Sequence, residues 1–95
     1  MKHRRGIVEI NYSILRCLRR RPLIKTHLMY RANLNYNEMM RHTARLIAAG
    51  YVVFSGGLFR LSSKGLVFLA ISQEFFDLGQ DLKLDYRNRE VMIIK

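Results

Sequence analysis

Between Asn35 and Gly65 the spacing of apolar residues changes twice, and that change limits what the chain can fold into. Met39, Thr43, Leu46 and Ile47 recur at helical steps, behind an asparagine that suits an N-cap, with Glu38 three residues further on. Gly50 follows, well placed for a left-handed helix end. Tyr51-Val52-Val53-Phe54 and Leu58-Phe59-Arg60-Leu61 then flank Ser55-Gly56-Gly57, the pattern of a β-hairpin whose glycines supply positive φ. Ser62 or Ser63 can cap a last helix over 64–84. A helix, a hairpin and another helix must therefore follow one another with almost no linker.

Upstream, Ile7, Ile10, Ile14, Cys17 and Leu18 place a helix over 6–19, ended by Arg19-Arg20-Arg21-Pro22. Residues 23–32 hold a short second helix, with Leu28 and Met29 inward and Lys25, His27 and Arg31 outward; Asn33-Leu34-Asn35 breaks it. The expected class is mainly α with a small β-hairpin (α+β), in the order helix, helix, helix, hairpin, helix. Residues 85–95 read ambiguously, and Val91–Ile94 fits a strand, a helix end or a docking tail.

At 95 residues the chain suits one modest core. No run of about 18 apolar residues occurs, which excludes a helical membrane span at sequence level, and the cytoplasm is the expected compartment. Cys17 is the only cysteine, so no intrachain disulfide forms; it reads as a small core residue or as a bridge to a second copy. Charge is more telling. Residues 1–64 carry 13 basic and 2 acidic groups, a net of +11, while residues 65–95 carry 4 and 5, a net of −1. A charge so divided suits a polyanion, nucleic acid first.

Three stretches, "IVEINYSILRCL", "IKTHLMYRANLNYNEMMRHTARLIAAGYV" and "GLFRLSSKGLVFL", resemble the small winged-helix DNA-binding proteins of archaea and their viruses. The most specific parts are the K-T-x-x-M-Y-x-A-N-L-x-Y run at Lys25–Tyr36 and the S-x-K-G turn at Ser62–Gly65. The likeness covers roughly residues 6–72. It implies a winged helix-turn-helix over 1–63, followed over 64–95 by a long helix and tail that form a homodimer. The implied partner is double-stranded DNA. The implied role is a transcription regulator, or alternatively an architectural, chromatin-like protein with little sequence preference.

With Met39, Thr43, Leu46 and Ile47 inward, the outer face of the third helix carries Asn37, Met40, Arg41, Ala44 and Arg45. Arginine reads guanine, asparagine reads adenine, and alanine admits close approach to a thymine methyl. Tyr36 joins Asn37 at the helix N-terminus, where phosphate is favoured. Lys25, Thr26 and Arg31 are candidate phosphate contacts from the second helix. Arg60 follows a hairpin tip that itself lacks lysine and arginine, and Arg5, with Arg4, either reaches the minor groove or frays.

Phe68, Ile71, Phe75, Leu78 and Leu82 step by three and four along the last helix, a heptad seam suited to a second copy. Leu66, Leu69 and Ala70 are expected to cover its own domain, and Gly79 to weaken the helix so that its distal half kinks or ends there. Asp77, Asp81 and Asp85 read as a solvated acidic face. His3, His27 and His42 lack the partners of a metal site, and no nucleophile grouping or phosphate loop occurs. No enzyme, cofactor or small-molecule effector is expected. A reading from a different class remains open: a winged-helix protein-interaction module whose basic face meets an acidic partner or RNA.

Overall fold

The first helix, α1 (Ile7–Arg20), begins where the Gly6 amide donates to Glu9 Oε1 at 3.1 Å, satisfying an amide at its entrance. This computed structural model describes residues 6–88. Ile10, Ile14, Leu15 and Leu18 form the buried stripe of α1. Ile7, expected inward, is exposed; Cys17 is half-buried, and Leu15 is fully buried in their stead. At 100° per residue Leu15 lies between Leu18 and the far rim, so the core wraps further round the helix than the expected stripe.

A second correction concerns residues 23–24. Leu23 is not helical: its amide and carbonyl both bond to Phe59, at 3.1 and 2.8 Å, as an isolated antiparallel bridge. Helix α2 (Lys25–Ala32) starts after it and buries Leu28 and Ala32, with Met29 partly buried against the core. It ends at Asn33, which adopts φ 58°, a left-handed conformation that asparagine tolerates. The amide of Leu34 then bonds back to Met29 O at 2.9 Å, and the buried Leu34 side chain pins the turn.

Helix α3 (Tyr36–Ala48) has a complete capping box: Asn35 Oδ1 accepts from the Glu38 amide at 2.8 Å, and Glu38 Oε1 accepts from the Asn35 amide at 3.1 Å. Met39, His42, Thr43 and Leu46 are its buried residues. Ile47, expected in the stripe, is 38% exposed, and His42 lies inside in its place. The four buried positions span about a third of the helix circumference, and Ile47 falls on the rim of that arc. Gly50, at φ 85°, ends the helix as anticipated.

Strands β1 (Val52–Ser55) and β2 (Leu58–Leu61) pair antiparallel, with Val52 opposite Leu61 at the open end and Ser55 opposite Leu58 at the tip. Gly56 and Gly57 both take positive φ, the demand of a two-residue turn of this hand. Val52 and Phe59 face the core.

Helix α4 (Ser63–Asn88) is capped by Ser62, whose Oγ accepts from the Gly65 amide at 2.9 Å and donates to Gly50 O at 2.6 Å. Gly65 and Leu69 are buried and Phe68 stacks on Tyr51 with ring centroids 4.5 Å apart. Leu66 and Ala70, expected to cover the domain, are exposed instead. The helix continues through Gly79 rather than ending there. The element order is the one expected, four helices and a two-stranded hairpin, an α+β fold.

Candidate nucleic-acid interface

The outward face of α3 is set by its buried face. Because Met39, His42, Thr43 and Leu46 point inward, Asn37, Arg41 and Ala44 lie on the opposite side, and all three are exposed. Arg45 is exposed beside them, and Met40 is half-buried against the core at the border of the face. Tyr36 stands half-exposed at the helix entrance. Thr43 is held inward by its hydroxyl, which donates to Met39 O at 2.7 Å.

His42 shapes this helix from beneath. Its side chain is 2% exposed, and its Nδ1 has no hydrogen-bond partner among the described residues. Burial, followed by the positive charges of Arg41 and Arg45, lowers its pKa below the ordinary histidine value, while Glu38 acts in the opposite direction. The core under the two outward arginines is thus uncharged at neutral pH.

Lys25 and the hairpin come together. The Lys25 ammonium lies 5.6 Å from the centroid of Phe54, which itself packs on Phe59, 4.5 Å between centroids. Thr26 is exposed next to it. Tyr30, one helical turn beyond Thr26, is 88% exposed and was not among the candidate contacts. Its four-residue spacing from Thr26 is the signal that could have found it.

Arg31 and Arg60 go elsewhere. Lys25 and Arg31, six residues apart, project about 120° from one another round α2. Arg31 meets Ser13, Arg16, Cys17 and Arg20 of α1 around a cavity of about 370 Å³. Arg60 joins Arg19, Arg20, Arg21, Ser62 and Ser63 around a second cavity of about 400 Å³. Burial pushes the Cys17 thiol pKa up, with Arg31 and then Arg16 pulling it down. Arg5 lies outside the described residues.

On α4, Ile71, Phe75 and Leu78 are all more than half exposed and line one shallow groove with Glu74. Phe68 is shared with Tyr51, and Leu82 falls beyond the described side chains. No described helix is long and apolar enough to cross a membrane.

Comparisons agree with this geometry. A family model described as winged helix-turn-helix matches residues 4–80. Among solved structures, Sso10a-2, a DNA-binding protein from Sulfolobus solfataricus, superposes with a TM-score of 0.74 at 21% identity, covering 96% of this chain and 100% of that one. PigF with SAH superposes with a TM-score of 0.56 at 21% identity, over 86% of this chain but only 29% of PigF. No curated protein matches the chain. At these identities the two likenesses concern fold.

Proposed function

The chain belongs to the winged helix-turn-helix family, and from that premise we propose that it is a homodimeric double-stranded DNA-binding protein that regulates transcription by inserting α3 into the major groove. The observation that carries this is the exposed edge of α3, where Asn37, Arg41, Ala44 and Arg45 stand clear of a neutral core. Arginine and asparagine are the side chains whose donor and acceptor geometry matches guanine and adenine edges. Lys25, Thr26 and Tyr30 of α2 supply backbone contacts, as the leading helix of such a motif crosses the phosphates. The description of Sso10a-2 as a DNA-binding protein supports the same reading.

An architectural role with little base preference is the second reading. It is favoured by the wing tip, whose Gly56 and Gly57 carry no charge, and by arginines that lie away from α3. Titration of random duplex against genomic fragments at several salt concentrations separates the two. Under the regulator reading, Arg41→Ala and Arg45→Ala each cost about 1–3 kcal/mol on a preferred site and little on random duplex. An equal loss on every sequence assigns both arginines to phosphate and favours the architectural role. Unchanged affinity for all sequences removes α3 from the reading role and places the DNA contacts on another surface.

A further inference from the structure

Arginine is distributed unevenly between the faces of this molecule. The α2–α3 side described above uses Lys25, Arg41 and Arg45, whereas six arginines, Arg16, Arg19, Arg20, Arg21, Arg31 and Arg60, line the two cavities beside α1. All six are exposed, and among the described residues no carboxylate lines either cavity. The described carboxylates nearest in sequence, Glu9 and Glu38, are engaged by backbone amides at the starts of α1 and α3.

The placement follows from α1 itself. Ser13, Arg16, Cys17 and Arg20 recur at steps of three, one and three, so they make one stripe along the helix. That stripe flanks the buried one of Ile10, Ile14, Leu15 and Leu18, with Cys17 at the border against the core and Arg16 and Arg20 turned outward. Arg16 is steered by the Tyr12 ring, 5.7 Å from its centroid. Arg31 closes the stripe from the α2 side. Arg20 lines both cavities, and around the second Arg19, Arg21 and Arg60 gather at the open end of the hairpin, away from Gly56 and Gly57. No residue of α3 lines either cavity.

Like charges gathered without counter-charges repel one another, and a polyanion laid along them relieves that repulsion. Planar guanidinium groups bind phosphate oxygens in pairs, and arginine is the side chain suited to that contact. A small anion needs one site, whereas here two cavities share an arginine and extend along a helix. We infer that the α1 surface, from Arg31 through Arg16 and Arg20 to Arg60, is a second phosphate-binding face that holds the backbone of a DNA duplex other than the one at α3. The inference rests on the DNA-binding reading of α3 and adds a second duplex to it.

Cys17 supplies a reporter, since it is the only thiol of the chain and lines the first cavity. The full chain is treated with a small neutral alkylating reagent, alone and with increasing duplex, while binding is followed by gel shift. In parallel, arginine modification by phenylglyoxal is mapped by mass spectrometry, which reports on the same face independently of thiol reactivity. The expected result is that saturating duplex slows Cys17 alkylation about tenfold or more and protects Arg16, Arg20 and Arg31 along with Arg41 and Arg45. Protection of Cys17 persists in Arg41→Ala/Arg45→Ala at duplex concentrations that still saturate. It is lost in Arg16→Gln/Arg20→Gln, whose gel shift survives.

Protection confined to Arg41 and Arg45 overturns the second face while leaving the α3 reading intact. Protection that disappears in Arg41→Ala/Arg45→Ala makes the two faces one and also overturns it. Protection by polyglutamate but not by duplex reassigns the surface to an acidic protein. A parent that shifts no duplex at all removes both readings, which the gel reports separately from the footprint.

Discussion

Gly65 lets the start of α4 pack closely on the chain leading into β1. A Cβ there would overlap the Tyr51 carbonyl oxygen, which also accepts the Ser62 amide at 3.1 Å. Gly65→Ala is expected to destabilise the fold by about 1–3 kcal/mol, as overpacking does, and thermal unfolding measures it. An unchanged melting temperature would mean that the start of α4 can lift from Tyr51 without cost. His42 yields a pH dependence. Its folded pKa is depressed, so above the ordinary value of about 6.5 both folded and unfolded forms are neutral and its contribution is intact. Below that value the unfolded chain takes up a proton that the buried ring refuses, and stability falls as the pH drops towards the folded pKa. His42→Gln should flatten this part of the curve relative to the parent, in denaturant melts at pH 7.5 and 5.5. Identical slopes would place the ring in contact with water. Neither residue was legible beforehand. A buried histidine looks polar in a sequence, and a glycine required by close approach looks like a weak helix former.

At the level of elements, local periodicity and punctuation carried most of the information. The Asn35–Glu38 capping box, the Gly50 helix end and the Gly56–Gly57 turn are each specified by residues within four positions of one another, and each formed as expected. The Leu23–Phe59 bridge spans 36 positions and has no period, so only the assembled fold reveals it. Gly79 did not stop α4, because a cost of about 1 kcal/mol is spread over a 26-residue helix. The outward face of α3 was legible, since it follows from an amphipathic pattern. The separation of Arg31 and Arg60 from it was not, because long side chains on adjacent elements choose neighbours that spacing does not encode. Helix α4 leaves Ile71, Phe75 and Leu78 exposed, Phe75 by 70%, a row that a second copy is proposed to cover. Phe75→Asp is therefore expected to give monomer in sedimentation at micromolar concentration, with helical content retained. A dimer that survives the charge would have its interface elsewhere, Val91–Ile94, outside the described residues, being the next segment to truncate.

For the whole molecule the division of charge between residues 1–64 and 65–95 is the governing feature. Each phosphate neutralised releases counterions, so affinity falls with salt with a logarithmic slope of about 0.9 per contact. The candidates Arg5, Lys25, Arg31, Arg41, Arg45 and Arg60 number six per subunit. With Arg31 and Arg60 on the α1 surface, engagement of about three or four of the remaining candidates in each half of a proposed dimer gives roughly 6–8 contacts and a loss of about a thousandfold or more between about 50 and 200 mM salt. The folded arrangement divides that slope further. Lys25 lies against Phe54 on the hairpin side of α2, so Lys25→Gln should reduce the slope by about one unit per site and weaken all sequences alike. Its stacking on Phe54 contributes about 0.5–1 kcal/mol to the fold, a loss that lowers stability but not the salt slope. Lys83→Gln, beyond the charge boundary, should alter neither. Arg31→Gln tests the two faces against each other. It should leave the slope at low duplex occupancy nearly unchanged, and reduce it only where duplex is in excess and the α1 surface fills. A flat salt response in the parent would be incompatible with any nucleic-acid partner, and the basic surface would then belong to a protein interface.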